Sequence, residues 1–444
     1  MPPPPANTAA EPADSPAALD MTELFAAHHG DRFDLHAKYL NEYAVRTLRT
    51  AGYDLGFKRG VGPYLYDRDG NEYLDLQSGY GVFVLGRNHP RIRDALVGVL
   101  NAEFPNLVQM DVSTLAGLLA QRLITLAPYV EKVFFANSGT ESVEAAIKFA
   151  RVATGRTDLV YCENGFHGLT YGSLSVCGMP GFRRGFEPML TGCTPVAFND
   201  LSGLEQVLRA GNVAAFIVEP IQGNGVILPQ DGYLQGAAEL CRKHGTLFVV
   251  DEVLTGCGRT GRFLAVEHWG VEPDIVILAK ALCGGHVPVG AVLMRKWIFQ
   301  KVFTGAAHGS TFSKNDLAMA AGLATLDVLL AERLFDNAAR LGQRLIQSLG
   351  AMDVGQGVVS DVRGKGMMIG IEFKLPQRLF ARHLITPLLR KHRILTHLTG
   401  PAGDTLRLLP PLIVNERDCG RVKAAFAQVV SELQTIAVGS IGQE

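Results

Sequence analysis

Leu247-Phe248-Val249-Val250-Asp251-Glu252-Val253-Leu254-Thr255-Gly256 is the stretch on which the fold of this 444-residue chain turns. Its four leading apolar residues read as a short strand buried on both faces, and an acid stands at the strand's end. A second run, Ile275-Val276-Ile277-Leu278-Ala279-Lys280-Ala281, repeats the pattern with a lysine in place of the acid. Ligands of open α/β sheets bind beyond the C-terminal ends of the strands, so Asp251 and Lys280 can face one another across one crevice. A plain Asp–Lys ion pair explains these two residues equally well.

A third stretch shifts the balance. Phe135-Ala136-Asn137-Ser138-Gly139-Thr140-Glu141 leaves an apolar run and opens a helical one. Ser138 and Glu141 have capping-box spacing, and Gly139 allows a ligand to approach the backbone closely. Free N–H groups at the positive end of a helix form a cradle for phosphate. Taken alone this reads more readily as an ordinary capped helix. A cradle, a strand-end acid and a strand-end lysine together are harder to explain without a ligand.

Further β-rich runs at Lys132–Ala136, Leu159–Cys162, Ala215–Val218 and Val289–Met294 surround these motifs. Helical patterns at Ser142–Thr154, Leu201–Ala210 and Tyr233–His244 lie between them. Such alternation predicts an α/β fold whose large domain, residues 86–330, holds a mostly parallel sheet flanked by helices. Residues 331–444 are expected to form a smaller α+β domain containing a Gly-rich strand at Gly364–Phe373 and another at Thr405–Leu408. Residues 30–85, with one amphipathic helix at Phe33–Thr50 and a hairpin of Tyr64–Tyr66 and Glu72–Leu76, are expected to join it. Residues 1–29 are expected to be a disordered tail; the first twenty are rich in Pro and Ala and lack the basic start and apolar core of a signal peptide.

A net charge of −1 without a basic tract gives no support to a nucleic-acid partner or an anionic membrane surface. No apolar run is long enough to span a bilayer. Seven dispersed cysteines without a C-x-x-C pair argue against a disulfide framework or a metal site and for a reducing cytoplasm.

The chain resembles the class III aminotransferases, the ornithine, acetylornithine and putrescine group of pyridoxal-phosphate (PLP) fold type I. The likeness runs from about residue 30 to the C-terminus. Besides the stretches above it covers Gly165-Phe166-His167-Gly168, Val218-Glu219-Pro220-Ile221-Gln222-Gly223 and His308-Gly309-Ser310-Thr311-Phe312. The resemblance implies that Lys280 carries pyridoxal 5′-phosphate as a Schiff base and later shuttles a proton. Asp251 would face the pyridine nitrogen. Opposite charges about 4 Å apart at a dielectric near 20 interact by about 4 kcal/mol, roughly three pKa units, which is enough to keep that nitrogen protonated. Ser138, Gly139 and Thr140 would bind the phosphate, Phe166 would stack on the ring, and His167, Glu219 and Val253 would complete the cofactor site. Thr311 would reach the phosphate of a neighbouring subunit, which implies a homodimer with shared active sites.

Four positions depart from the ornithine and acetylornithine enzymes. Leu254 replaces a Gln, Leu169 an Arg for a distal carboxylate, Asn224 a Glu, and Ser313-Lys314-Asn315-Asp316 the usual Gly-Gly-Asn-Pro. Arg407 matches the arginine that grips an α-carboxylate, although a surface arginine at a strand end is a competing reading. A buried second carboxylate without a partner would cost several kcal/mol. Alanine or pyruvate is therefore held more readily than glutamate, unless Arg183 or Arg184 substitutes. Tyr80, Leu169, Val82 and Phe83 are expected to form an apolar wall suited to an aldehyde, ketone or ω-amine. An ornithine or diamine aminotransferase, a decarboxylase and an aminomutase are the competing reactions for the same lysine and aspartate.

Overall fold

The computed structural model describes residues 19–441 apart from 109, 306, 353–356 and 376. The chain divides into two compact units, one ending at Lys58 and the other running from Arg59 onward. In the first unit, residues 1–18 of the expected tail lie outside the described residues. The rest of that tail contains a helix, Met21–His28, started by the Asp20 carboxylate, which accepts from the backbone N–H groups of Thr22 and Glu23. The single helix expected over Phe33–Thr50 is two helices, Arg32–Tyr39 and Glu42–Thr50. The break falls at Asn41, whose side chain accepts from Ala44 N and caps the second helix. An Asn inside an amphipathic pattern is a local stop and start signal.

The second unit is built on a seven-stranded sheet. Its strands are β1 (Lys132–Ala136), β2 (Asp158–Cys162), β3 (Cys193–Val196), β4 (Val213–Val218), β5 (Leu247–Asp251), β6 (Ile275–Leu278) and β7 (Gly290–Met294). They lie in the order β1-β7-β6-β5-β4-β2-β3. Neighbouring strands from β6 to β3 pair in parallel, and β7 runs antiparallel to both β1 and β6. Six strands thus point the same way, and the mostly parallel sheet expected from the alternation is present. Every residue of β4, β5, β6 and β7 is buried, as continuous Val/Ile/Leu runs between helical layers require. One apolar cluster, with Phe149, Ile217 and Val249, fills one face of the sheet; a larger one, with Phe216, Val250 and Leu278, fills the other. Sequence reading missed β3, where Pro195 interrupts a short edge strand.

The predicted hairpin is present and gains a strand: Glu72–Asp75 pairs with Tyr64–Tyr66 and, in parallel, with Ile394–Leu395. The expected strand Gly364–Phe373 is instead two antiparallel strands, Val359–Lys365 and Met368–Phe373, reversing at Gly366 and Met367. Thr405–Leu408 pairs with Met368–Phe373 on one side and His397–Thr399 on the other. That four-stranded sheet carries Arg407.

Candidate active site

Because β1, β2, β4, β5 and β6 run the same way, the segments that follow them emerge along one edge of the sheet. Asn137–Thr140 follows β1, Phe166–Leu169 follows β2, Glu219 follows β4, Val253 and Leu254 follow Asp251 at the end of β5, and Lys280 follows β6. All of these segments line one cavity of about 750 Å³. Tyr80 reaches the same cavity from the left-handed turn at Ser78–Gly81, and Arg407 from the smaller sheet. Of the residues expected to act in catalysis or to hold the cofactor, only Thr311 stands apart: it is exposed in a turn and borders another cleft with Ser310 and Lys314.

Acids, imidazole and lysine are stacked behind the cavity. His167 Nδ1 donates to Asp251 Oδ2 at 2.8 Å, with both side chains buried. Burial alone would lower the His167 pKa, but the hydrogen bond and charge of Asp251 outweigh it and raise the pKa. The other Asp251 oxygen accepts from Val253 N at 3.0 Å. Glu219 accepts from Phe166 N at 3.0 Å and from Gly223 N at 2.8 Å, tying the loop after β2 to the turn after β4. Burial raises the Glu219 pKa, opposed by the His167 charge and these two N–H donors. Lys280 sits at φ +43, in the left-handed region, where the chain turns abruptly out of β6. Burial lowers its pKa; the Asp251 and Glu219 charges oppose this and the Arg407 charge assists it. Desolvation of this kind makes the ammonium easier to deprotonate to the nucleophilic amine.

The helix Gly139–Thr154 begins at the cavity. Ser138 caps it, its hydroxyl accepting from Glu141 N at 3.2 Å. The reciprocal half of the capping box is displaced by one residue: the Glu141 carboxylate accepts from Asn137 N at 2.8 Å rather than from Ser138 N. The first N–H groups of the helix, at Gly139 and Thr140, have no intrahelical acceptor. Thr140 Oγ1 is 2.7 Å from both Thr170 Oγ1 and Ser173 Oγ, so its rotamer is held.

At the opposite wall, the buried Arg407 donates from Nη1 to Gly223 O at 2.5 Å and from Nη2 to His397 Nε2 at 2.7 Å. Its Nε has no partner among the described residues. Burial lowers its pKa to about 10, against the raising effect of Glu219. Asn224 does not pair with it; its Oδ1 accepts from Thr399 Oγ1 at 2.8 Å and Gly400 N at 2.7 Å, and its Nδ2 donates to Asn164 Oδ1. His397 was not foreseen, and only its alternation with Arg407 on paired strands could have signalled it.

Three local expectations fail. Phe83 does not line the cavity: its ring lies under Arg87, at 4.1 Å, and against Gly79 and Gly285. Arg183 and Arg184 do not reach the cavity either, and Arg183 donates to the Tyr161 hydroxyl at 2.8 Å. The place filled by Met179 and Phe182 is apolar instead.

The model of the class-III aminotransferase family matches residues 49–430. The chain belongs to the class III aminotransferases. This transaminase is 40% identical over 402 residues to a putrescine aminotransferase from Pectobacterium atrosepticum, covering 86% of this chain and 84% of that one. It is 35% identical over 483 residues to the aminotransferase PigE from a Serratia species, covering 97% of this chain but only 56% of that longer relative. Among solved structures it is similar to the ornithine aminotransferase of Toxoplasma gondii, with a TM-score of 0.84 at 30% identity, over 94% of this chain and all of that one. Class III aminotransferases are PLP enzymes of this fold, and the site of this one fits the cofactor. A Cβ at Gly139 would come within 3.2 to 3.4 Å of Val253 and Ala279, so a side chain there would narrow the cradle at the helix start. A desolvated lysine, a buried carboxylate and a helix N-terminus meet in one cavity, which is the donor set that an aldehyde, a pyridine nitrogen and a phosphate require.

Proposed function

We propose that this transaminase exchanges an amino group between a monocarboxylate pair such as alanine and pyruvate and an apolar amine, aldehyde or ketone, as an ω-transaminase does. Arg407 carries the reading, because among the described residues it is the one guanidinium lining the cavity and its hydrogen-bond partners, Gly223 O and His397 Nε2, are neutral. A substrate carboxylate would meet Arg407, while Tyr80, Leu169, Met179 and Phe182 exclude water from the rest of the substrate. Among the described residues lining the cavity there is no second arginine for the distal carboxylate of glutamate, whose burial unpaired would be costly.

Bound pyridoxal phosphate supplies a ring that withdraws electrons from the carbon losing or gaining the amino group. Ser138, Gly139 and Thr140 would bind its phosphate, with Phe166 and Val253 against its faces. Asp251, oriented by His167, would hold a proton at the pyridine nitrogen. Lys280 Nζ would attach the cofactor and, once free, accept a proton from the substrate carbon. Glu219 would keep the Phe166 loop in place.

Residues 86–330 would form the cofactor-binding domain and residues 331–444 the smaller one; the pairing of Glu72–Asp75 with Ile394–Leu395 supports counting residues 59–85 with the latter. The position of Thr311 outside its own cavity supports a homodimer in which it would reach the partner's cofactor. No helix among the described residues is long and apolar enough to cross a membrane, and all seven cysteines are free, which supports a cytoplasmic enzyme. The test is a donor and acceptor screen on purified holoenzyme. Alanine with apolar aldehydes should exceed ornithine or glutamate in kcat/KM; preference for ornithine or a diamine would overturn the substrate assignment.

A further inference from the structure

We propose that His397 is the positioning residue for the carboxylate-binding arginine, holding the Arg407 guanidinium toward the cavity without supplying a counter-charge. This rests on the reading of Arg407 given above and adds what keeps that arginine in place and in the right electrostatic state.

His397 and Arg407 are directly opposed residues of antiparallel strands, so their side chains share one face of the smaller sheet. Arg407 can only donate, so His397 Nε2 accepts the 2.7 Å bond with its lone pair and carries no proton there. The imidazole is therefore neutral. Burial and the adjacent guanidinium agree with this, lowering its pKa to about 3. His397 is not among the residues lining the cavity; it lies behind Arg407, with the Tyr80 ring edge-on at 5.0 Å. The second acceptor on the guanidinium, Gly223 O, is also neutral.

Among the described residues no acid forms an ion pair with Arg407. Position 224 is an Asn, fully engaged with Thr399, Gly400 and Asn164. Glu219 is fixed by two backbone N–H groups. Two uncharged acceptors therefore orient the fork and leave its charge, and the unpartnered Nε, for a substrate anion. A carboxylate entering the site displaces no internal ion pair. Removing the imidazole acceptor would free the guanidinium to rotate and leave Nη2 unsatisfied, whereas another neutral acceptor at the same place would preserve it.

The experiment compares His397→Phe, which keeps an aromatic ring against Tyr80 but no acceptor, with His397→Gln, whose amide oxygen lies near the position of Nε2. Arg407→Met serves as the reference. Propionate binding to each holoenzyme is measured by calorimetry, and steady-state constants are measured for pyruvate and for an amine without a carboxylate, benzylamine. The expected result for His397→Phe is roughly tenfold weaker propionate binding and a similarly raised KM for pyruvate, the effect of losing one hydrogen bond to a charged group. The benzylamine constants should change far less, and His397→Gln should recover most of the loss. Wild-type propionate affinity in His397→Phe, equal losses in both His397 variants, or equal losses with benzylamine would each overturn the proposal. Unchanged propionate binding in Arg407→Met would overturn the underlying reading of the arginine instead.

Discussion

Gly168→Ala tests how tightly the helix start is held. Gly168 adopts φ +126, and an added Cβ would lie 2.5 Å from Thr140 Oγ1, 2.7 Å from Thr140 Cβ and 2.8 Å from Ser173 Oγ. The backbone angle alone costs an alanine about 1–3 kcal/mol. Thr140 cannot simply turn away. Its hydroxyl bonds to Thr170 and Ser173, and Thr170 bonds in turn to Glu144 at 2.5 Å. Losing one or two of these bonds adds roughly 0.5–1.5 kcal/mol each, so the total is about 1.5–6 kcal/mol. Part of this falls on cofactor affinity, because the displaced residue is Thr140 of the cradle. The assays are denaturant unfolding of the apoenzyme and pyridoxal-phosphate titration of each variant. Combining Gly168→Ala with Thr140→Gly should remove the two contacts with Thr140 and leave the one with Ser173 Oγ and the backbone cost, so the two changes should be non-additive. Strictly additive losses, or an alanine variant that binds cofactor and unfolds like the parent, would refute the reasoning.

Lys280→Ala should abolish turnover and the visible absorbance of lysine-bound cofactor; normal activity would remove the central assignment. Leu169→Arg should raise kcat/KM for glutamate relative to alanine by several-fold and not more, because position 169 is 52% exposed and the new ion pair would be solvent-screened. Burial pushes the Glu252 carboxyl up to about 7, although the Thr255 hydroxyl and Val266 N–H bond to it. Its folded pKa is raised, so its contribution to stability is complete below the unfolded value near 4.5 and is lost as pH rises through 7. Glu252→Gln should therefore gain on the parent by about 3 kcal/mol between pH 4.5 and 8 in denaturant unfolding. A difference that does not vary with pH would contradict this.

The large sheet was legible because strands buried on both faces must be apolar, and β4 to β7 are, save for Asp251 at the end of β5. Asp251 and Lys280 stood out as charges terminating such runs. Elements governed by single turns were not legible in the same way. Gly366 and Met367 divide one expected strand into two, and Asn41 divides one expected helix. Tertiary pairing alone defines Ile394–Leu395 and His397–Thr399, since two- and three-residue strands have no periodicity to read. Positions inferred from composition of the pocket fared worst. Phe83 belongs to the packing beneath Arg87, and Arg183 is engaged by Tyr161, because an apolar or charged side chain near a site in sequence has several partners to choose from in space.

The left-handed backbone at Lys280 sets stability against retention of the reactive amine. A lysine at φ +43 costs on the order of 1–3 kcal/mol that glycine would not, and the buried amine adds a desolvation cost. Lys280→Gly should thus unfold at higher denaturant than the parent apoenzyme. Enrichment of variants by folding or expression alone would drift away from the one side chain the reaction needs, so any library built on this scaffold has to be selected for turnover at every round.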